Sequence, residues 1–228
     1  MDSDSYFTPE LFKFLKELRA HNERGWFERN KGRYETVVRD PFLQLIAALG
    51  PPLRKINPAI VADPRPVGGS MMRIYRDIRF SRDKSPYKVA VAAHFAHHLG
   101  KKAPAPSYYL HFAPGNSMIG SGMWRPPPAA LTQIRDAIVA DPRRWQRVTS
   151  NGAFRSSCGM AGESLKRPPA GYAPDHPLIE DLKRKDFITS ADLTDEQVCA
   201  PDLFDMIVAS FRATAPFMEF LDAAVGLK

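Results

Sequence analysis

Cysteine is scarce in this chain. Cys158 and Cys199 are the only two in 228 residues, and they stand in no paired spacing. A disulfide framework and a cysteine-based zinc site are both disfavoured. No apolar run approaches the roughly eighteen residues that a membrane-spanning helix needs. The start, Met1-Asp-Ser-Asp-Ser, is acidic and lacks the basic head and apolar stretch of a secretory signal. These absences predict a cytoplasmic protein with no membrane partner. Motifs are missing as well: there is no G-x-S-x-G, no G-x-x-x-x-G-K-[ST], no G-x-G-x-x-G and no H-E-x-x-H. The common nucleophile elbow, phosphate loop, dinucleotide turn and zinc helix are thereby excluded, and no cofactor is expected.

The chain is 44% hydrophobic and 25% charged, which is sufficient for a full core. The pattern predicts one α+β domain over residues 1–228, with a central, mostly antiparallel sheet flanked by N-terminal and C-terminal helices. Residues 8–57 read as helical, 58–125 as sheet-rich and 126–228 as helices with loops. Thr8-Pro9-Glu10 opens a first helix whose apolar stripe is Leu11, Phe12, Leu15 and Leu18. Asn22-Glu23 is expected to cap a second, carrying Trp26, Phe27 and Tyr34. In a third, through Phe42, Leu45, Ile46 and Leu49, Pro41 should kink or break the helix and Gly50-Pro51-Pro52 should end it. Ile60-Val61, Met71–Tyr75, Val89–Phe95, Tyr108–Phe112 and Met118–Trp124 read as strands, with a turn at Pro114–Ser117. Further on, Asp141-Pro142 opens a short helix around Trp145, and residues 150–175 form a loop. His176–Lys185 reads as a helix, Phe187-Ile188 as an edge strand, and Asp202–Leu227 as a helix interrupted near Pro216.

Charge is concentrated. The chain carries 32 Lys+Arg against 25 Asp+Glu. Nine of those bases (Arg65, Arg73, Arg76, Arg79, Arg82, Lys84, Lys88, Lys101 and Lys102) fall between Arg65 and Ala105, against only Asp77 and Asp83. The rest of the chain is balanced. Clustered cations are a statement about partners rather than fold.

The densest part, Arg73-Ile-Tyr-Arg-Asp-Ile-Arg-Phe-Ser-Arg-Asp-Lys-Ser-Pro-Tyr-Lys88, mixes forked guanidinium groups with tyrosines and serines. Guanidinium suits bidentate recognition of phosphate or carboxylate. The leading expectation is a pocket for an anionic, phosphorylated small molecule. Arg73, Arg76, Arg79, Arg82, Lys84 and Lys88 would supply charge, Ser85 a neutral donor, and Tyr75, Tyr87 and Ser121 orientation. Asp77 would hold a guanidinium plane or carry a proton, His111 would act as acid or base, and Lys166 would close over the site from a loop. Trp124, after the glycines, would line the pocket. Four alternatives compete: nucleic-acid binding through residues 65–105, a metal-independent hydrolase or transferase on a phosphate or carboxylate substrate, a protein-interaction module, and an arginine–aspartate network that is purely architectural. His94, His97 and His98 lack an acidic companion, so no metal is expected. Nothing in the sequence specifies an oligomeric state.

The chain resembles the domain of unknown function 2461 family of bacteria and fungi. The resemblance rests on Asn22, Trp26-Phe27, Asn30-Lys31, Tyr34 and Pro41, and most strongly on Arg76–Lys88. It continues through Gly120-Ser-Gly122-Met-Trp124 with Pro126, Leu165–Pro168, Gly171-Tyr172, Asp175-His176-Pro177 and Lys183-Arg184-Lys185. Ser121 and Ala170 depart from the family's usual glycine and basic residue. The resemblance implies an α+β domain and brings no activity, substrate or cofactor.

Overall fold

The first helix, α1 (Glu10–Ala20), buries Leu11, Phe12, Phe14, Leu15 and Leu18 along one stripe. It belongs to a computed structural model that describes residues 5–227; the acidic start at 1–4 lies outside the described residues. Helix α2 (Arg24–Tyr34) runs without a break through a π-helical turn, Glu35–Arg39, into α3 (Asp40–Ile56). Pro41 was expected to kink or break this helix. The wider turn accommodates it instead: the Asp40 N–H reaches back to Glu35 O, and the coil gains a residue just before the proline that cannot donate.

Nor do Pro51 and Pro52 end α3, which continues to Ile56. Two features permit this. The buried stripe Leu45, Ile46, Leu49 and Leu53 continues across the prolines. The carbonyls that lose a donor belong to Ala47 and Ala48, which lie on the exposed and half-exposed side, where solvent satisfies them.

The strands β1 (Val91–Phe95), β2 (Ser107–Phe112), β3 (Ser117–Met123), β4 (Gly159–Ala161) and β5 (Phe187–Leu193) form an antiparallel sheet in the order β1-β2-β3-β5-β4. With helices before and after the strands, the protein has the α+β fold that its sequence predicts. Phe187-Ile188 is not an edge. It begins β5, whose outer neighbour is β4, in the register Gly159↔Ser190, Met160↔Thr189 and Ala161↔Ile188. Ile60-Val61 and Met71–Tyr75 do not form strands either. The latter contributes single bridges, Met71↔Ala93 and Tyr75↔Tyr87, because intervening turns interrupt the ladder.

The chain packs as two units, each assembled from three separated segments. The first draws on Met1–Phe95, Tyr109–Ile119 and Asp192–Val208. In it, Phe7, Phe42 and Phe112 meet with ring centroids 5.5–6.1 Å apart. Its last segment holds α8 (Asp195–Val198), opened by a reciprocal Thr194–Gln197 capping box.

The second unit draws on Ala96–Tyr108, Gly120–Ala191 and Ala209–Lys228. Its core centres on Trp145, which packs against Phe187, Phe217 and Phe220. Helices α4 (Pro128–Ala140), α5 (Pro142–Ser150) and α6 (Gly152–Ser157) supply Ile134, Ile138, Val148 and Phe154 to it. Asp141 caps α5 as predicted, its carboxylate accepting from the Arg144 N–H at 2.9 Å. His176–Lys185 is not a full helix. Only α7 (Ile179–Leu182) is helical, since residues 183–185 leave to pair with the preceding loop: Leu165 N–H donates to Lys183 O and Lys185 N–H to Glu163 O, both at 2.8 Å. The C-terminal helix α9 (Leu203–Ala224) passes through Pro216 without the expected interruption. The carbonyl that the proline leaves unpaired belongs to exposed Arg212, where solvent serves.

Among the described residues no helix is long and apolar enough to cross a membrane.

Candidate functional site

The basic segment of the first unit forms an irregular hairpin, residues 70–94, termed here the basic arm. Its two sides are joined by His94 N–H to Ser70 O (2.9 Å), Met72 N–H to Ala92 O (2.8 Å), Lys88 N–H to Ile74 O (2.8 Å) and Arg76 N–H to Pro86 O (2.9 Å). The arm is docked by α2 and by Asn22, two residues before that helix. Tyr87 is buried and stacks on Phe27 at 4.2 Å, and Tyr75 lies 5.4 Å from Tyr87 and 6.5 Å from Phe27, edge-on to the latter. The Asn22 side chain pairs with the Tyr87 backbone in both directions: Nδ2 donates to Tyr87 O, and Oδ1 accepts from Tyr87 N–H, each at 3.0 Å. Asn22 is thus no helix cap, and α2 has none from a side chain.

The cations divide into two kinds. Arg76 is partly buried and closes the loop at the arm's end. Its Nη1 donates to Asp83 and to Ser85 O, and its Nη2 reaches Ser81 Oγ at 3.5 Å. Lys84 Nζ donates to Ile78 O and Lys88 Nζ to Arg73 O, both at 3.0 Å. These three hold the arm in shape. Arg79 is exposed and gripped in its own plane by Asp77, Nε to Oδ1 at 3.0 Å and Nη2 to Oδ2 at 2.7 Å. That leaves three of its five N–H donors directed elsewhere. Arg73 and Arg82 are exposed and make no ion pair among the described residues. Phe80, between them in sequence, is 95% exposed, with the Arg79 guanidinium 5.9 Å from its ring. Tyr75 is 53% exposed.

Asp83 is held down to about 2 by the Ser85 hydroxyl and amide and then by Arg76. Asp77 is lowered chiefly by Arg79. A carboxylate so stabilised is a poor proton acceptor.

The remaining residues singled out from sequence lie elsewhere. His111, on β2 in the first unit, is half-buried; its Nδ1 lies 3.3 Å from the Tyr109 hydroxyl, and burial pushes its imidazole below the ordinary range. Ser121 and Lys166 belong to the second unit. Ser121 is buried, its hydroxyl 2.9 Å from Thr214 Oγ1, and so packs the interior there. Lys166 is exposed on its loop and makes no ion pair among the described residues. Trp124 is 67% exposed, under the Arg125 guanidinium at 4.7 Å. Among the described residues no group of three His, Cys, Asp or Glu is arranged to hold a metal ion.

The family model for the conserved hypothetical proteins DUF2461 matches residues 10–220, which takes in the whole arm and its Asn22 anchor. The chain belongs to the DUF2461 family. No curated protein and no solved structure matches it. DUF2461 membership names no activity and leaves the chemistry to the residues described above. Sequence reasoning missed Asn22 as the arm's anchor. An asparagine at the head of a helix reads as a cap, and its true partner lies 65 residues away.

Proposed function

We propose that this DUF2461 protein binds single-stranded nucleic acid through the basic arm. The observation that carries the reading is Phe80, fully in solvent at the arm's end with Arg79 against its ring and unpaired Arg82 close by in the chain. An apolar ring has no intramolecular reason to stand there. An exposed ring flanked by guanidinium groups suits a base that stacks while its phosphates meet cations. Tyr75 offers a second ring, and Arg73, Arg79 and Arg82 the phosphate contacts. A small-molecule pocket built from the same segment is less well supported, since Arg76, Lys84 and Lys88 spend donors inside the arm. An enzymatic reading has less again: Asp77 is held ionised by its arginine, and the described partner of His111 is a tyrosine. Two free cysteines agree with a reducing, cytoplasmic location.

Fluorescence anisotropy with a labelled single-stranded oligonucleotide tests this. Three phosphate contacts give a slope of log K against log salt of about −2. Phe80→Ala weakens binding about tenfold, the loss of one stacked base. Absence of binding at low salt, or binding that survives Phe80→Ala and Arg82→Ala unchanged, refutes the reading. A salt-resistant response to one small anion on the arm reinstates the pocket.

A further inference from the structure

The second unit contains a cleft of about 330 Å³ lined by Arg125, Pro126, Leu131, Glu163, Lys185 and Asp186. Its floor is built at a cost. Asp186 is only 3% exposed, and both carboxylate oxygens are spent on backbone: Oδ1 accepts from the Arg125 N–H at 2.7 Å and Oδ2 from the Glu163 N–H at 2.9 Å. Arg125 has φ 48°, and among the described residues no other non-glycine has a positive φ. Such a conformation persists where surrounding contacts over-determine it, and it clusters at ligand sites. Gly162, at φ +94°, lets the Glu163 turn lie against Asp186; a Cβ there would sit 2.5 Å from the Asp186 Cβ.

In the cleft lining Arg125 and Lys185 are matched in number by Glu163 and Asp186, and the local excess of positive charge comes from Arg135. Lys185 is paired with Glu163 (2.9 Å), Arg184 with Asp181 (3.4 Å) and Lys183 with Glu180 (2.7 Å). Two guanidinium groups make no ion pair among the described residues, although Arg125 acts on the Glu163 carboxylate at longer range. Arg125 rests on the Trp124 ring. Arg135, one helical turn beyond cleft-lining Leu131, is 7% exposed. Its Nη2 donates to the carbonyl of Arg184, the neighbour of Lys185, and its Nε is buried without a partner. A guanidinium stays charged at every accessible pH, and a buried charge without a counter-ion is costly.

We infer that the Arg125–Lys185 cleft is a binding site for a phosphate group, free or at the end of a small phosphomonoester. Arg125 meets the oxyanion with its fork, Lys185 adds a point charge, and uncompensated Arg135 raises the positive potential behind Leu131. The site belongs to the second unit and takes a different class of ligand from the arm in the first.

Titration of the whole chain with inorganic phosphate, followed by calorimetry and thermal shift at constant ionic strength with chloride as control, tests this. A saturable response is expected, at least tenfold weaker in Arg125→Ala and in Lys185→Gln, and unchanged in the arm variant Arg82→Ala. Amide NMR of the unaltered protein keeps the test independent of variant folding: phosphate should move the Arg125, Glu163 and Lys185 resonances. A non-saturable response, equal affinity in Arg125→Ala, or shifts confined to the arm overturns the inference. A glycerol phosphate arm separates the two sources: binding tighter than that of free phosphate identifies a phosphomonoester, and weaker binding identifies phosphate itself.

Discussion

Asn22 and the backbone of Tyr87 exchange two hydrogen bonds, each 3.0 Å long, across 65 residues of sequence. The side-chain amide does what a neighbouring strand would do. It satisfies one donor and one acceptor of an arm that has no ladder partner on that side. Asn22→Asp keeps the shape, replaces the donor with a second acceptor facing Tyr87 O, and should cost about 1 kcal/mol, the low end of the penalty for an unmade hydrogen bond at this part-buried position. Urea denaturation measures it. A midpoint within error of the parent would show that the clamp contributes nothing.

The arm's arginines should separate by role. Arg82→Ala, at an exposed position without an ion pair, should change stability by no more than about 0.5 kcal/mol while weakening oligonucleotide binding. Arg76→Ala removes the bonds to Asp83, Ser85 and Ser81, so the loop over residues 77–85 should become a site of limited proteolysis. Equal protease resistance in the two variants would contradict this division.

Acid should release that loop late. Asp83 has a folded value pushed down to about 2 by Ser85 and Arg76, below its unfolded value. A depressed carboxylate contributes order that is fully present above its unfolded pKa and is lost as pH falls through the folded one. The Ser85 amide resonance should therefore titrate with a midpoint near pH 2 rather than near the ordinary aspartate value of about 4. Ser85→Ala should move that midpoint upward. A midpoint at the ordinary value in the unaltered protein would remove the Asp83–Ser85 bond from the account.

Gly122 is fixed by close approach. It sits in β3 at φ +119°, and a Cβ there would lie 2.1 Å from the carbonyl oxygen of Phe187 in β5. Gly122→Ala should separate these strands and cost about 3 kcal/mol or more, since both the dihedral and the contact oppose it. Thermal unfolding that shifts by only a degree or two would mean that the strands tolerate the spread.

The α+β class and most helices were legible because their signals are local. The stripe of α1, the Asp141-Pro142 opening of α5 and the turn before β3 each announce themselves within a few residues. The errors at proline share one cause. Pro41, Pro51, Pro52 and Pro216 read as breaks, yet buried stripes run past each of them and the freed carbonyls face solvent or an expanded turn. Phe187-Ile188 read as an edge because the segment that covers it, Gly159–Ala161, has almost no strand signature. In the arm, composition showed that charge was concentrated, but which arginines are braces and which are free depends on partners two to nine residues away in a fold that spacing alone does not specify. The cleft was less visible still. Arg125, Arg135, Glu163 and Lys185 come from separate parts of the chain, and an arginine's lack of a counter-ion cannot be read from its neighbours in sequence.

The interleaved segments of the two units bear on synthesis and on dissection. Each unit takes its last segment from beyond residue 191: Asp192–Val208 completes the first and Ala209–Lys228 the second. Neither can close while the ribosome still holds that part of the chain, and the connections that close last are the longest in sequence, which slows folding. No single cut leaves both units complete: one after Val208 keeps every segment of the first but removes the last of the second, and one after Phe95 keeps the second and divides the first.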